Sequence, residues 1–238
     1  MDEKHIFSFY YSPNTQDNFI IDREEDLYMR IAIVLRMSEG NQYICFDSYF
    51  IYDVIIVGIN KKSIINKIIQ KRENNKKGKK VIAYIPYLER EYMNDIFYSM
   101  GQQGIDKIQL VKTQLSQVKE YAEKDYFRFE KLMIQGCEQG RAYHIPLLIK
   151  KIITIEEMIQ KEKNLYWFYE QGVSLNKIFE EEFISQEYAF LCGPERGFSN
   201  EEVDVLKNVE HYHPIKLSHY VLRSIDVIKF ASILFKSI

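Results

Sequence analysis

The pattern of apolar and polar positions changes character near residue 80. Before it, residues 4–11 (KHIFSFYY) and 18–22 read as short strands around a Ser12-Pro13-Asn14 turn. Asp26 then caps a segment running to Met37, with Leu27, Ile31, Val34 and Leu35 recurring at helical spacing. After Gly40-Asn41 the chain turns β-rich at 43–46, 49–59 and 64–69, with breaks at Asp47-Ser48 and Asn60-Lys61-Lys62. Residues 1–72 therefore predict a small, mostly β domain.

Beyond residue 80 the elements alternate. Residues 80–87 (KVIAYIPY) form a continuous apolar run suited to a strand covered on both faces. Helical spacing follows at 89–100, a strand at 104–110, and a helix at 125–138 with Phe129, Leu132, Met133 and Cys137 inward. Further strands are predicted at 165–169, 188–191 and 211–216. A last helix over 223–236 carries Val227, Ile228, Ala231, Leu234 and Phe235 on one stripe. This alternation predicts an α/β fold with a parallel sheet, in which Trp167 and its aromatic neighbours belong to the core.

The stretch 191–203 (LCGPERGFSNEEV) reads as a strand stopping at a Gly-Pro corner, a polar loop and a new helix. Ser199 is the expected N-cap and Glu202 its reciprocal partner in a capping box, with Phe198 and Val203 as the apolar staple across it. On local chemistry alone, this is a well-held strand-to-helix connection.

Composition adds limits. An apolar fraction of 46% is ample for a core, and no apolar run reaches the roughly 20 residues a membrane span needs. The charged N-terminus MDEKHIF lacks the apolar core of a signal peptide, so a cytoplasmic protein is expected. Cys45, Cys137 and Cys192 are odd in number and far apart, which fits buried thiols in a reducing compartment and offers no metal-ligand spacing. His211 and His213 supply two ligands where a metal normally needs three or four, so no metal is expected. The net charge of −2 gives no overall attraction to nucleic acid. Residues 1–80 nonetheless carry 13 Lys and Arg against 11 Asp and Glu, largely through Lys71, Arg72, Lys76, Lys77, Lys79 and Lys80. That run is either a solvated interdomain loop or a loop contacting phosphates.

Several of these segments together resemble one family. The stretch 193–199 (GPERGFS) resembles the GPEGGFS signature of RsmE-type 16S rRNA uridine N3-methyltransferases of the SPOUT superfamily, with Arg196 where the family has glycine. Val34-Leu35-Arg36-Met37 followed by Gly40 is similar to the VLR-x-x-x-GD segment of the family's PUA-like domain. Gly104 to Ile108 resembles the family strand after its ELGV motif, with Tyr98-Ser99 in place of a Gln-Lys pair and Gln102-Gln103 in place of Glu-Leu. Glu138-Gln139-Gly140-Arg141 with Pro146 resembles the AEQSGR…VP element, although ungapped alignment places Ala142 at the family arginine. Residues 217–227 (LSHYVLRSIDV) resemble LGxxILRTETA, with Ser218 for glycine, Ser224 for threonine and Ile225 for glutamate.

The resemblance implies a PUA-like RNA-binding β domain at 1–72, a basic linker at 73–80, and a SPOUT methyltransferase domain with a C-terminal trefoil knot at 81–238. It implies S-adenosyl-L-methionine held by loops after Phe168-Tyr169, at 193–199 and at 217–223. The implied cofactor-binding residues are Leu191, Cys192, Gly193, Pro194, Glu195, Gly197, Phe198, Leu217, Ser218, Tyr220, Val221 and Leu222. Arg223 and Arg141 are the implied catalytic residues, and Arg36, Arg196, Lys76, Lys77, Lys79 and Lys80 the implied RNA contacts. The expected partners are 16S rRNA or the small ribosomal subunit and a second copy of the chain. The substitutions at Arg196, Ser218 and Ile225 leave an alternative: a knotted RNA- or ribosome-binding protein without catalysis. Arg196 itself either adds a contact to the methionine carboxylate or RNA, or obstructs the cofactor.

Overall fold

The apolar run at 80–87 is a strand buried on both faces, and it lies inside a six-stranded parallel sheet. The structure is a computed structural model that describes residues 6–13, 15, 17–75, 78–116, 120–175, 177 and 187–237. It divides into two compact units, Met1–Lys76 with Arg141–His144, and Lys77–Gly140 with Ile145–Ile238.

The first unit is a five-stranded mixed sheet of order β1-β3-β4-β5-β2, formed by Ser8–Tyr10, Asn18–Asp22, Gln42–Phe46, Phe50–Ile59 and Ser63–Glu73 in chain order β1 to β5. β1 runs parallel to β3, and the other pairings are antiparallel. Phe9, Ile21, Tyr43, Cys45, Val54, Ile56 and Ile64 fill its core. The segment predicted as one helix to Met37 is shorter and wider. α1 (Asp26–Tyr28) opens into a π-helical stretch at Met29–Val34, in which the Leu35 N–H donates to the Arg30 carbonyl at 2.9 Å. The wider turn rotates Val34 off the apolar face, leaving it 71% exposed. Ile31 stays fully buried. Arg36, with φ 51°, then ends the helix in the left-handed region.

In the second unit the strands are β6 (Lys80–Pro86), β7 (Lys107–Lys112), β8 (Leu147–Thr154), β9 (Leu165–Ser174), β10 (Glu187–Leu191) and β11 (Tyr212–Lys216). Their order is β11-β9-β10-β6-β7-β8, all pairings parallel. The two-residue period separates the faces. Val81, Ala83, Ile85, Tyr188 and Phe190 meet α2 (Arg90–Gln103), α3 (Glu123–Gly140) and the last helix α6 (Ser224–Ser237). Ile82, Tyr84, Trp167, Ala189 and Leu191 meet α4 (Ile155–Ile159) and α5 (Asn200–Lys207). Helices on both sides explain why β6 and β10 carry few polar residues.

Edge strand β8 and short α4 carried no clear signal, because Lys150-Lys151 interrupts an apolar alternation that is buried only in part. All three cysteines are buried and none is in a disulfide. Trp167 is fully buried, as predicted for core. Among the described residues no group of three metal-ligating side chains exists, and His213 stacks on Tyr166 with ring centres 5.0 Å apart. No helix among them is long and apolar enough to cross a membrane.

Candidate functional site

The middle of β9 and the chain following the C-terminal ends of β10 and β11 border one cavity of about 340 Å³; where a loop was expected after Phe168-Tyr169, β9 continues as a strand to Ser174. Phe168 to Gln171 line it from β9, Gly193 to Phe198 from the loop after β10, and Ile215 to Leu222 with Ser224 and Val227 from the chain around β11, His219 excepted. A crevice beyond the carboxyl ends of parallel strands is where open α/β sheets bind ligands. Its volume lies in the range of small-molecule pockets, roughly 300–1,000 Å³.

The loop after β10 is held at each step. Its Gly197 N–H donates to the Pro194 carbonyl at 2.8 Å, closing a tight turn with Glu195 and Arg196 at the corner. Gly197 has φ 73°, a conformation that glycine adopts without steric cost, while a Cβ there would meet only open space. Gly193 is different: a Cβ would lie 3.1 Å from the Phe198 ring, so the missing side chain makes room for that ring. Phe198 in turn meets Trp167 edge-on at 5.8 Å, and the wall of the cavity continues into the core.

The predicted capping box is present. The Glu202 N–H donates to Ser199 Oγ at 3.2 Å, and the Ser199 N–H donates to Glu202 Oε2 at 2.9 Å. Sequence reasoning missed a third bond, from the Gln114 N–H to Glu202 Oε1 at 2.7 Å. Glu202 thus ties the cavity loop to the chain leaving β7, a partner 88 positions away that no local motif could announce. Because Glu202 is only 5% exposed, Glu202→Ala leaves two amides without their acceptor. It is expected to cost about 2 kcal/mol, read as a lower denaturant midpoint, with Val205→Ala on the outer side of α5 nearly neutral as control.

Among the residues expected to hold the cofactor, Gly193, Pro194, Glu195, Gly197, Phe198, Leu217, Ser218, Tyr220, Val221 and Leu222 all line the cavity. Leu191 and Cys192 do not: both are fully buried beneath the loop, and burial pushes the Cys192 thiol pKa well up. Arg196, expected at RNA, lines the same cavity.

Arg223 sits between the lining residues Leu222 and Ser224 but turns outward. Its Nε donates to Asp226 Oδ2 at 2.9 Å and its Nη2 to Oδ1 at 3.3 Å, and this pairing raises the guanidinium pKa. Asp226 is thus the carboxylate paired with Arg223, while Ile225, where the resembling family has glutamate, is buried in the core.

The other expected residues lie elsewhere. Arg141, in a left-handed conformation after α3, donates to the Ile6 carbonyl at 2.9 Å, groups with the first unit and is not a lining residue. Arg36 is an exposed residue of the first unit. Lys76 and Lys77 lie outside the described residues. Lys79 lies over the Tyr188 ring at 5.0 Å, and Lys80 pairs with Glu187 at 2.9 Å. These two lysines flank the start of β10. β5 ends at Glu73 and β6 starts at Lys80, so the first and last residues of the stretch expected as a linker belong to strands.

Residues 74–225 match the model of an RNA methyltransferase domain. The chain is 24% identical over 237 residues to a ribosomal RNA small subunit methyltransferase E from Aquifex aeolicus, covering 97% of this chain and 98% of that one. It is 24% identical over 201 residues to the protein of the same name from Rickettsia conorii, covering 83% and 80%. The fold is similar to a crystal structure of a ribosomal RNA small subunit methyltransferase E from Neisseria gonorrhoeae bound to S-adenosyl methionine, with a TM-score of 0.80, 19% identity and 98% of each chain covered.

Proposed function

The chain belongs to the RNA methyltransferase domain family, and from that premise we propose that it is an S-adenosylmethionine-dependent rRNA methyltransferase acting on uracil N3 in the small-subunit RNA. The observation carrying this reading is the convergence of β9, the loop after β10 and the chain after β11 on one cavity whose lining lies, Val227 apart, inside the matched region. The residues present fit the cofactor. Phe198, Leu217, Val221 and Leu222 give apolar wall, and the glycine-bearing turn brings backbone close. The cofactor supplies, when bound, an electrophilic methyl group on a sulfonium.

The protein's part is alignment and electrostatics. Holding donor methyl and acceptor nitrogen in line supplies the larger share of the acceleration. N3 must lose a proton as the N–C bond forms and the S–C bond breaks. A fixed cation beside the base lowers the cost of the negative charge that develops on it, and Arg223 at the rim is assigned that role.

The finer architecture follows the same reading. The mixed sheet of residues 6–75 serves as a PUA-like RNA-binding domain, with Arg36 on its surface. The chain leaving edge strand β11 returns across the sheet to place α6 against β6 and α2, as a C-terminal trefoil knot requires. Phe230 and Ile233, 45% and 53% exposed on α6, are the apolar face a second copy would cover in a homodimer. Work on ribosomal RNA places the protein in the cytoplasm. A non-catalytic role is not favoured, because Arg196 and Ser218 border a cavity that is still open.

Two measurements test this. Titration calorimetry is expected to show S-adenosylmethionine binding, and folded protein that gives no heat at millimolar cofactor refutes the reading. Nucleoside mapping of small-subunit rRNA from a deletion strain is expected to lack one N3-methyluridine, restored by the gene; a mark that persists removes the assigned reaction.

A further inference from the structure

Four charged side chains border the cavity: Glu170, Glu195, Arg196 and Lys216. The lining is formally neutral, whereas a surface that tracks an RNA backbone carries an excess of cations. Both signs around one small cavity complement a ligand that is itself zwitterionic. Arg196 shares the corner of a held turn with Glu195. Its backbone stands in a turn closed by the Gly197 N–H to Pro194 carbonyl bond at 2.8 Å, and Gly197 has φ 73°. One residue further on, Phe198 is seated over Gly193, and Ser199 is locked by Glu202.

On these grounds we propose that Arg196 is a specificity-determining residue that binds the carboxylate of the cofactor's amino-acid end, so that this protein discriminates carboxylated from decarboxylated nucleoside sulfonium ligands. A guanidinium presents paired N–H donors that match a carboxylate in two parallel bonds, which a backbone amide or a lysine cannot reproduce. Because the turn fixes the backbone before binding, little freedom remains to be lost there on complex formation. The proposal rests on the methyltransferase reading. It concerns how this chain, with arginine in the turn, holds the ligand.

The test is titration calorimetry of the full chain and of Arg196→Gln and Arg196→Gly with S-adenosylmethionine, S-adenosylhomocysteine and decarboxylated S-adenosylmethionine. Arg196→Gln is expected to bind the two carboxylated ligands about 10-fold more weakly, the loss of one charge-assisted pair. Its affinity for the decarboxylated ligand should match that of the unaltered protein, because the partner of the guanidinium is already gone. An equal loss on all three ligands overturns the proposal, as does tighter binding by Arg196→Gly, which would mean obstruction. Unchanged cofactor affinity with weaker rRNA binding overturns it in favour of an RNA contact. If the unaltered protein binds none of the three, the methyltransferase reading itself fails.

Discussion

A Gly136→Ala variant is expected to melt roughly 4–8 °C lower than the unaltered protein. A Cβ at Gly136 would stand 2.0 Å from the Tyr98 carbonyl oxygen and 2.7 Å from the Gln102 amide nitrogen. These are backbone atoms of α2, so no side chain can swing aside. The same contact recurs above and below, where a Cβ on Gly101 would meet the Met133 carbonyl oxygen at 2.1 Å and one on Gly140 the Gln102 carbonyl oxygen at 2.1 Å. Relief requires α2 and α3 to part, and that interface holds the Phe97–Phe129 stack at 4.3 Å. Alanine gains about 1 kcal/mol of helix propensity over glycine. Overpacking against rigid neighbours costs about 1–3 kcal/mol, occasionally more, and backbone-on-backbone contact belongs at the upper end. The net is a loss of about 2 kcal/mol, and a domain of this size moves by about 2–4 °C per kcal/mol. Gly58→Ala is the control, because its Cβ would meet only Ile65 at an ordinary 3.6 Å. Equal melting temperatures for the two variants would refute the argument.

That helix contact also marks what the sequence could not disclose. The apolar run of β6 and the stripe of α6 follow from local period, because burial on two faces or on one imposes a different spacing of apolar residues. The capping box was legible for the same reason: its two residues are three apart. Gly101, Gly136 and Gly140 were visible as glycines, but their meaning depends on which helix faces them. The same holds for Glu202, whose bond to Gln114 spans 88 positions. The surroundings of Lys79 and Lys80 were likewise hidden, because Tyr188 and Glu187 are brought beside them only by the pairing of β10 with β6. Around the cavity, the segments at 193–198 and 217–222 that the resemblance pointed to supply lining residues, whereas the loop expected after Phe168-Tyr169 is part of β9. The resemblance placed Leu191 and Cys192 in the wall because only the folded turn shows that the lining begins at Gly193.

Arg223→Ser is expected to lower methyl transfer about 100-fold while leaving the protein at least as resistant to heat. The Arg223 carbonyl accepts the Asp226 N–H at 3.0 Å and the Val227 N–H at 3.1 Å, so Arg223 is the N-cap of α6. Arginine is a poor choice there. It offers no side-chain acceptor to the free amides of the first turn, and its positive charge stands at the positive end of the helix dipole. Serine supplies the missing acceptor, so a purely structural arginine would be improved by the change. Positions that break a local rule are where function is to be sought. For a guanidinium held by Asp226 beside two cavity-lining residues, the proposed reaction supplies such a function: its field and that of the helix end would both favour the negative charge that develops on uracil when N3 loses its proton. Asp226→Asn keeps the cation but loosens its orientation, and a loss of only several-fold is expected. Cofactor affinity should be unchanged in both variants, which separates Arg223 from the lining residues proper. Three measurements decide the matter: single-turnover methylation of small-subunit rRNA, calorimetry with S-adenosylmethionine, and thermal melting. An Arg223→Ser protein that keeps full turnover would make Arg223 a surface residue, and one that loses turnover only in step with a lower melting temperature would make its role structural.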